Sequence, residues 1–369
     1  MSADDRDQGR SAACESCQRR SWLLSELSAS LDYGARDGVR LMQLLELGDI
    51  ELIKALGGRR RAELKARYAQ FDADQICLAD GVQALCRHDH RYPRALSGAG
   101  APPMLNVAGG ITRLSELTAG PVVAIAGSQR ASDYGVEMAN GLARGLAVSG
   151  VTVTSGLADG ISVAAHAGAL EARCGSLAVI PGSLDSGRPA KRRSLFERVT
   201  QSGCAVAELP CGSTARRWGR PASERIVASL ASVTVLVEAE EVGHELLGAR
   251  LAMARGKTVA AVPGRVTSPL SRGPHALLIA GAHLVREPAD VLELLYVRSP
   301  AGEGSVSAGP ELEPRLRSVL DSVGEGRDTP DKLTASRKDT TEVLLALTEL
   351  ELMGLLGRGD GGRYVPRRS

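Results

Sequence analysis

Four short stretches in the middle of this chain have the residue types that hold phosphate: Gly127-Ser128, Ser155-Gly156, Pro181-Gly182-Ser183 and Pro263-Gly264. Each closes an apolar run, and glycine there lets a ligand approach the main chain while free N–H groups at the next helix start attract anions. One such loop is commonly no more than a steric requirement of a strand–helix turn. Four on one edge describe a phosphate-binding cleft, with the amides of Gly127, Ser128, Ser155, Gly156, Gly182 and Ser183 as donors. A basic segment lies beside them. Between Arg188 and Arg225 nine basic residues stand against three acidic ones, in a chain whose net charge is +2. That local excess suits an extended polyanion better than a lone nucleotide. Candidate cations are Arg130, Arg188, Lys191, Arg192, Arg193 and Arg225. Trp218, inside the basic run, is either a stacking platform worth about 1–3 kcal/mol per base or a side chain covering the domain edge.

Catalytic and metal-binding patterns are incomplete. Gly256-Lys257-Thr258 resembles the end of a Walker A loop, but Leu251 replaces the first glycine and Lys257 begins a strand rather than a helix. His244-Glu245 starts like a zinc-protease helix, yet Gly248 stands where the second histidine belongs. Glu238, Glu240 and Glu241 cluster at a strand end and read as solvated loop acids, with acid–base work as the alternative. Cys14 and Cys17 form one C-x-x-C. A zinc site needs four ligands and no second pair with suitable spacing follows, so they read as an incidental pair. No catalytic residue, metal or cofactor is expected.

The elements that must position these residues follow a rhythm. Val122–Ala126, Val151–Thr154, Leu177–Ile180, Ala205–Ala207, Val233–Val237 and Val259–Val262 are apolar runs without alternation, separated by helical patterns such as 134–149 and 164–172. Such runs are strands buried on both faces, and their alternation with helices gives a doubly wound, mainly parallel α/β sheet. This Rossmann-like domain is expected over 85–297, with residues 85–120 adding one extra strand. Ahead of it, 1–19 reads as a solvated tail and 20–84 as a small helical domain built on leucine stripes. Residues 298–310 are a Gly/Ser/Pro-rich linker. Residues 311–369, with three helices and a strand–glycine turn–strand ending, read as a winged helix.

Composition sets the outer limits. The 369 residues are 43% hydrophobic and 24% charged, which argues against wholesale disorder. No apolar run reaches the roughly 18 residues of a membrane span, and the polar N-terminus has no signal-peptide core, so a cytoplasmic protein is expected. Seven cysteines, an odd number, do not make a disulfide framework. Aromatics are only 3% of the chain, which restricts base stacking to a few positions.

Taken together, the motifs resemble the bacterial DNA-processing family DprA (Smf). The resemblance rests on Gly127-Ser128 with Tyr134-Gly135, Ser155-Gly156-Leu157-Ala158, Gly160-Ile161 and His166-Ala167-Gly168. It continues through Leu184-Asp185, Glu208, Pro210, Gly212, Trp218, Pro221 and Arg225-Ile226. Val237-Glu238-Ala239, Ala249-Arg250, Ala261-Val262-Pro263-Gly264 and Ser271-Arg272-Gly273 complete it. It covers nearly the whole chain and implies a SAM-like N-terminal helical domain, a Rossmann-like domain that binds single-stranded DNA, and a winged helix. It further implies a homodimer without enzymatic activity that loads a RecA-type recombinase during natural transformation.

Several polar positions depart from the family pattern. Gln129 stands where the family has Arg, with Arg130 one place on, and Ser162 replaces an Asp. Arg188-Pro189-Ala190-Lys191-Arg192 exchanges an aromatic and an amide for cations. Ser223-Glu224, Gly243-His244-Glu245 and Pro274-His275 also differ. Either strand binding has shifted toward phosphate contacts or it is weakened. The third helix of the C-terminal unit carries Asp339, Glu342, Glu349 and Glu351 and no Lys or Arg, so a protein-contact module is expected rather than a groove reader. Two other function classes stay in view: a nucleotide sensor or hydrolase using the same cleft, and a transcription factor built on the winged helix.

Overall fold

The computed structural model describes residues 13–34, 38–73, 78–98, 100–172, 175–185, 193–213, 216–241, 243, 245–296, 313–324, 329–334, 340–352, 356–358 and 364–366. It forms two compact units, 1–299 and 300–369. The first opens with helices α1 (Glu15–Glu26), α2 (Ser28–Gly34), α3 (Gly38–Glu46), α4 (Asp49–Leu56) and α5 (Arg61–Ala69). Residues 13–19 are not a solvated tail. α1 begins at Glu15, and Ala13, Cys17 and Gln18 are buried. The leucine stripes do meet: Leu23, Leu24, Leu27, Leu31, Leu41, Leu52, Ile53 and Leu64 share one core. That core also contains Leu209, Trp218 and Ala222 from the α/β part. Five short helices enclose too little apolar area to stand alone, so they complete their core on the neighbouring layer.

The sheet runs β1 (Val82–Cys86), β2 (Met104–Ala108), β3 (Val122–Ala126), β4 (Thr152–Ser155), β5 (Ser176–Ile180), β6 (Cys204–Ala207), β7 (Val233–Leu236), β8 (Thr258–Ala261) and β9 (His283–Leu284) in chain order. Interleaved are α6 (Ile111–Ala119), α7 (Asp133–Val148), α8 (Ile161–Glu171), α9 (Arg193–Ser202), α10 (Gly219–Leu230), α11 (Glu245–Ala254), α12 (Arg272–Ile279) and α13 (Pro288–Tyr296). Spatially the order is β1-β2-β6-β5-β4-β3-β7-β8-β9. Strands β3 to β9 are mutually parallel. The α/β expectation therefore holds, because every residue of β3, β4, β5, β6 and β7 is buried and apolar runs on both faces need helices on both faces. Residues 85–120 supply a different edge from the single strand expected. β1 and β2 pair antiparallel with each other, β2 pairs antiparallel with β6, and the expected border between 84 and 85 falls inside β1.

The chain lays β3, β4, β5 and β6 outward on one side, then returns to place β7 against the other side of β3. The crevice between the carboxyl ends of β3 and β7 is thus the topological switch point, where ligands bind in open α/β sheets.

The second unit has α14 (Pro314–Gly324), α15 (Pro330–Thr334) and α16 (Thr340–Leu352), then an antiparallel ribbon of β10 (Leu356–Arg358) and β11 (Tyr364–Pro366). Leu316, Val319, Leu333, Val343, Leu347, Leu350 and Tyr364 form its core, and Arg315 pairs with Glu349 at 2.9 Å across α14 and α16.

One buried polar group fastens the strand-end layer. His166 on α8 is fully buried, with Nδ1 against the Ser176 hydroxyl and Nε2 against the Gly156 carbonyl, each at 2.7 Å. Burial lowers its pKa from 6.5 to about 4. Below pH 6.5 the unfolded chain takes up a proton that the folded chain refuses until about pH 4. The stability contributed by a neutral His166 is therefore present in full above pH 6.5 and is lost as the pH falls toward 4. Urea unfolding of wild type and His166→Asn across this range is expected to show the stability gap between them narrowing by about 3 kcal/mol. A gap that stays constant would contradict the assignment.

Candidate nucleic-acid interface

The strand ends bring the sequence-predicted loops onto one edge, but most of their polar groups are already engaged. At the switch point the Ser128 amide donates to the Glu238 carbonyl at 2.6 Å. It is therefore not a phosphate donor, contrary to expectation. The Glu238 side chain is 4% exposed and accepts from the Ser132 amide at 2.9 Å and the Ser132 hydroxyl at 2.6 Å. Ser132 is the N-cap of α7, its hydroxyl accepting from the Gly135 amide at 3.2 Å. A Cβ at Gly135 would lie 2.2 Å from Glu238 Oε2, and one at Gly127 would lie 2.7 Å from the Glu238 carbonyl oxygen. Both glycines thus serve the close fit of this carboxylate segment. Glu238 is a buried anion occupying the positive end of α7, the position that a nucleotide phosphate takes in a mononucleotide fold. Of the three acids expected to be solvated, only Glu240 and Glu241 are.

The second and third loops are pinned from below. The Ser155 hydroxyl donates to the Ile125 carbonyl at 2.7 Å and the Ser183 hydroxyl to the Ser213 carbonyl at 2.8 Å; both serines are buried. Gly182 has φ of 125°, a conformation that requires glycine. Gly156 differs from the other rim glycines. Its φ is ordinary and a Cβ there would meet nothing closer than 3.8 Å, so packing does not demand glycine at this half-buried position. Its carbonyl is taken by His166, so its packing leaves room for a side chain without freeing that acceptor.

The basic run divides into structural and exposed members. Arg225 is 1% exposed, and its guanidinium pairs with the buried Glu208 carboxylate at 2.5 Å and donates to the Gly100 carbonyl. It ties α10 to the loop before β2 and is not available to a strand. Trp218 is also 1% exposed. Its indole N–H donates to the Ser28 hydroxyl at 2.8 Å and its amide to the Asp32 carboxylate at 2.9 Å. It is a staple between the helical layer and α10 rather than a stacking platform. Arg193 is exposed and paired with Glu197 at 3.2 Å, one turn along α9. Arg188, Lys191 and Arg192 lie outside the described residues.

What remains at the rim is compact. Arg130 is exposed, its amide held by the Ser128 hydroxyl at 3.1 Å. The side-chain amide of the neighbouring Gln129 meets the Arg220 guanidinium, an arrangement in which its oxygen is the acceptor. That contact joins the loop after β3 to the start of α10, directly after the exposed Arg216 and Arg217. Arg216, Arg217 and Arg220 belong to the basic run but were not among the expected cations; their place at the start of a helix that follows a strand end is the signal the sequence offers. Lys257, the Walker-like lysine, donates to the carbonyls of Ser229 and, at 2.9 Å, Ala231, so it closes the C-terminus of α10. A groove of about 1160 Å³ on the α7–α8 side is lined by Asp133, Glu137, Asp159 and Glu287 against Arg144 and Arg286, the wrong charge balance for a polyanion.

Comparison with known proteins gives the family. Residues 83–296 match the family described as DNA recombination-mediator protein A. The protein Smf of Escherichia coli strain K12 is 33% identical over 286 residues, covering 75% of each chain. The X-ray structure of DNA processing protein A from Streptococcus pneumoniae superposes with a TM-score of 0.61 at 28% identity, over 76% of this chain and 96% of that one. A structure of DNA processing protein A from Helicobacter pylori, described for its single-stranded DNA binding mode, covers 58% of this chain and 95% of its own, with a TM-score of 0.51 and 25% identity. The chain belongs to the DNA recombination-mediator protein A family, the DprA/Smf proteins.

Proposed function

We propose that this protein binds single-stranded DNA along the carboxyl ends of its parallel strands, protects it, and hands it to a RecA-type recombinase during DNA uptake in the cytoplasm. The observation that carries this reading is the division of labour at the rim. Glu238 fills the anion position at the switch point, while Arg130, Arg216 and Arg217 stay exposed and Arg220 half-buried on the two segments that meet at Gln129. A single phosphate has no vacant helix end to enter there. A sugar–phosphate strand can lie across the rim and meet several guanidinium groups in turn. The same carboxylate disfavours the nucleotide sensor or hydrolase, since both Glu238 oxygens are committed to capping α7.

In anisotropy titrations with oligo-dT, affinity is expected to fall steeply with salt. The double variant Arg216→Ala/Arg217→Ala is expected to reduce the slope of log K against log salt by about 1.4, at roughly 0.7 for each phosphate that is no longer neutralised. A slope unchanged from wild type would overturn the assignment of this rim.

The helical C-terminal unit fits a protein contact. α16 exposes Leu344 and Leu345 beside Glu349 and Glu351 and carries no Lys or Arg, so it offers an apolar-acidic face rather than a phosphate-binding one. No helix among the described residues is long and apolar enough to cross a membrane. For the homodimer, the sheet edge at β9 is the surface we assign. Leu284 on β9 and Ile279 at the end of α12 are 50% and 89% exposed, an apolar edge that pairing with a second copy would cover. Sedimentation velocity is expected to give a dimer for wild type and a monomer for Ile279→Glu/Leu284→Arg. A dimer that survives both substitutions would place the interface elsewhere.

A further inference from the structure

The C-x-x-C of the N-terminus has companions. Cys14 is the N-cap of α1 and Cys17 lies in its first turn, while Cys86 ends the edge strand β1 and His88 sits in the turn that follows. The three sulfurs and one histidine nitrogen all lie within 4.8 Å of one another. His88 Nδ1 is 3.2 Å from Cys14 Sγ and 3.4 Å from Cys17 Sγ. The ligand edges of a tetrahedral zinc site are about 3.5–3.8 Å, from Zn–S near 2.3 Å and Zn–N near 2.0 Å. Two edges of the cluster are already within that length and the remaining ones need close by no more than about 1 Å.

The surroundings are those of a closed site. Cys17 and Cys86 are 4% and 2% exposed and pack with Ala13, Ala84 and Met104, while Cys14 and His88 face solvent. The turns that aim the ligands are fixed by main-chain hydrogen bonds. The Cys17 amide donates to the Cys14 carbonyl, the Asp89 amide to the Cys86 carbonyl and the Arg87 amide to the Pro103 carbonyl. The Cys14 amide donates to Cys86 Sγ at 3.4 Å, which orients that sulfur toward the other ligands. Three soft sulfur ligands and one imidazole, in tetrahedral reach, select zinc among the common divalent metals.

We propose that Cys14, Cys17, Cys86 and His88 bind one zinc ion that fastens α1 to the edge strand β1. Each ligating thiol gives its proton to solvent on binding, and His88 ligates through Nδ1 as the neutral imidazole. With four protein ligands no position is left for substrate, so the ion is structural. It closes a loop between positions 74 residues apart, which constrains the unfolded chain and covers a sheet edge. The expectation of an incidental cysteine pair is thereby replaced. A second C-x-x-C is not needed, because the fold carries a C-x-H to the same place.

The test uses the full-length chain, purified without chelator or an immobilised-metal step and then given one equivalent of zinc under reducing conditions. Metal analysis is expected to find one zinc per chain. Cobalt(II) in its place is expected to give the sulfur-to-metal charge-transfer band and strong visible bands of a tetrahedral thiolate site. Cys14→Ser and His88→Asn, both at exposed positions, are expected to keep the wild-type circular dichroism spectrum and lose the zinc. Stripping zinc from wild type is expected to lower its melting temperature and to leave that of Cys14→Ser unchanged. Folded wild type that takes up no zinc, a Cys14–Cys17 disulfide that persists under reduction, or a variant that retains full zinc content would each overturn the proposal.

Discussion

The buried carboxylate of Glu238 governs the shape of the strand-end surface. It sits where two chain segments that are distant in sequence must meet, the loop leaving β3 and the loop leaving β7. By accepting from both donors of Ser132 it fixes the N-cap hydroxyl, which in turn accepts from the Gly135 amide in the first turn of α7. Its own main-chain carbonyl holds the Ser128 amide, so the same residue closes the β3 loop from two directions. Gly127 and Gly135 are small because the carboxylate segment presses against them. A fold of the phosphate-binding type has here replaced the phosphate with its own anion.

A second constraint follows from how the helical layer is attached. Its leucine core is finished by Trp218 and Ala222 at the start of α10, so the basic run that borders the rim is anchored by its most hydrophobic member. Arg225, seven residues on, anchors the other side through Glu208. Removing one partner of such a buried pair leaves an uncompensated charge and costs on the order of 3–5 kcal/mol. The start of α10 is thus held at two points by buried side chains, with Arg216 and Arg217 exposed just ahead of it. A flexible basic tail would offer equal charge but would lose more conformational entropy on binding.

The architecture was legible because continuous apolar strands and glycine punctuation report burial directly. β3 occupies the same residues as its apolar run, and α7 begins one residue before the helical pattern. The site was legible only in outline, since charge in a sequence does not say which way a side chain points. Arg216 and Arg225 look alike as letters; one is exposed and the other lies on the face of α10 that carries Ala222 and Ile226. That helical phase was readable, and an arginine three places after a buried alanine on an apolar face was the clue. Glu238 differs from Glu240 and Glu241 only in tertiary contacts, which no local pattern encodes. The helical layer was expected as a separate domain because its leucine stripes all lie within 20–84; only the shared core shows what Trp218 does.

The central claim is that the rim takes an extended strand and not a single nucleotide. A competition titration over a length series, from thymidine monophosphate through short oligo-dT to a strand of about 20 nucleotides, addresses it most directly. Affinity is predicted to rise with length and to be lost in high salt, with the mononucleotide failing to displace the longest strand even in large excess. Displacement by thymidine monophosphate at concentrations comparable to the strand, with no dependence on length, would contradict the account.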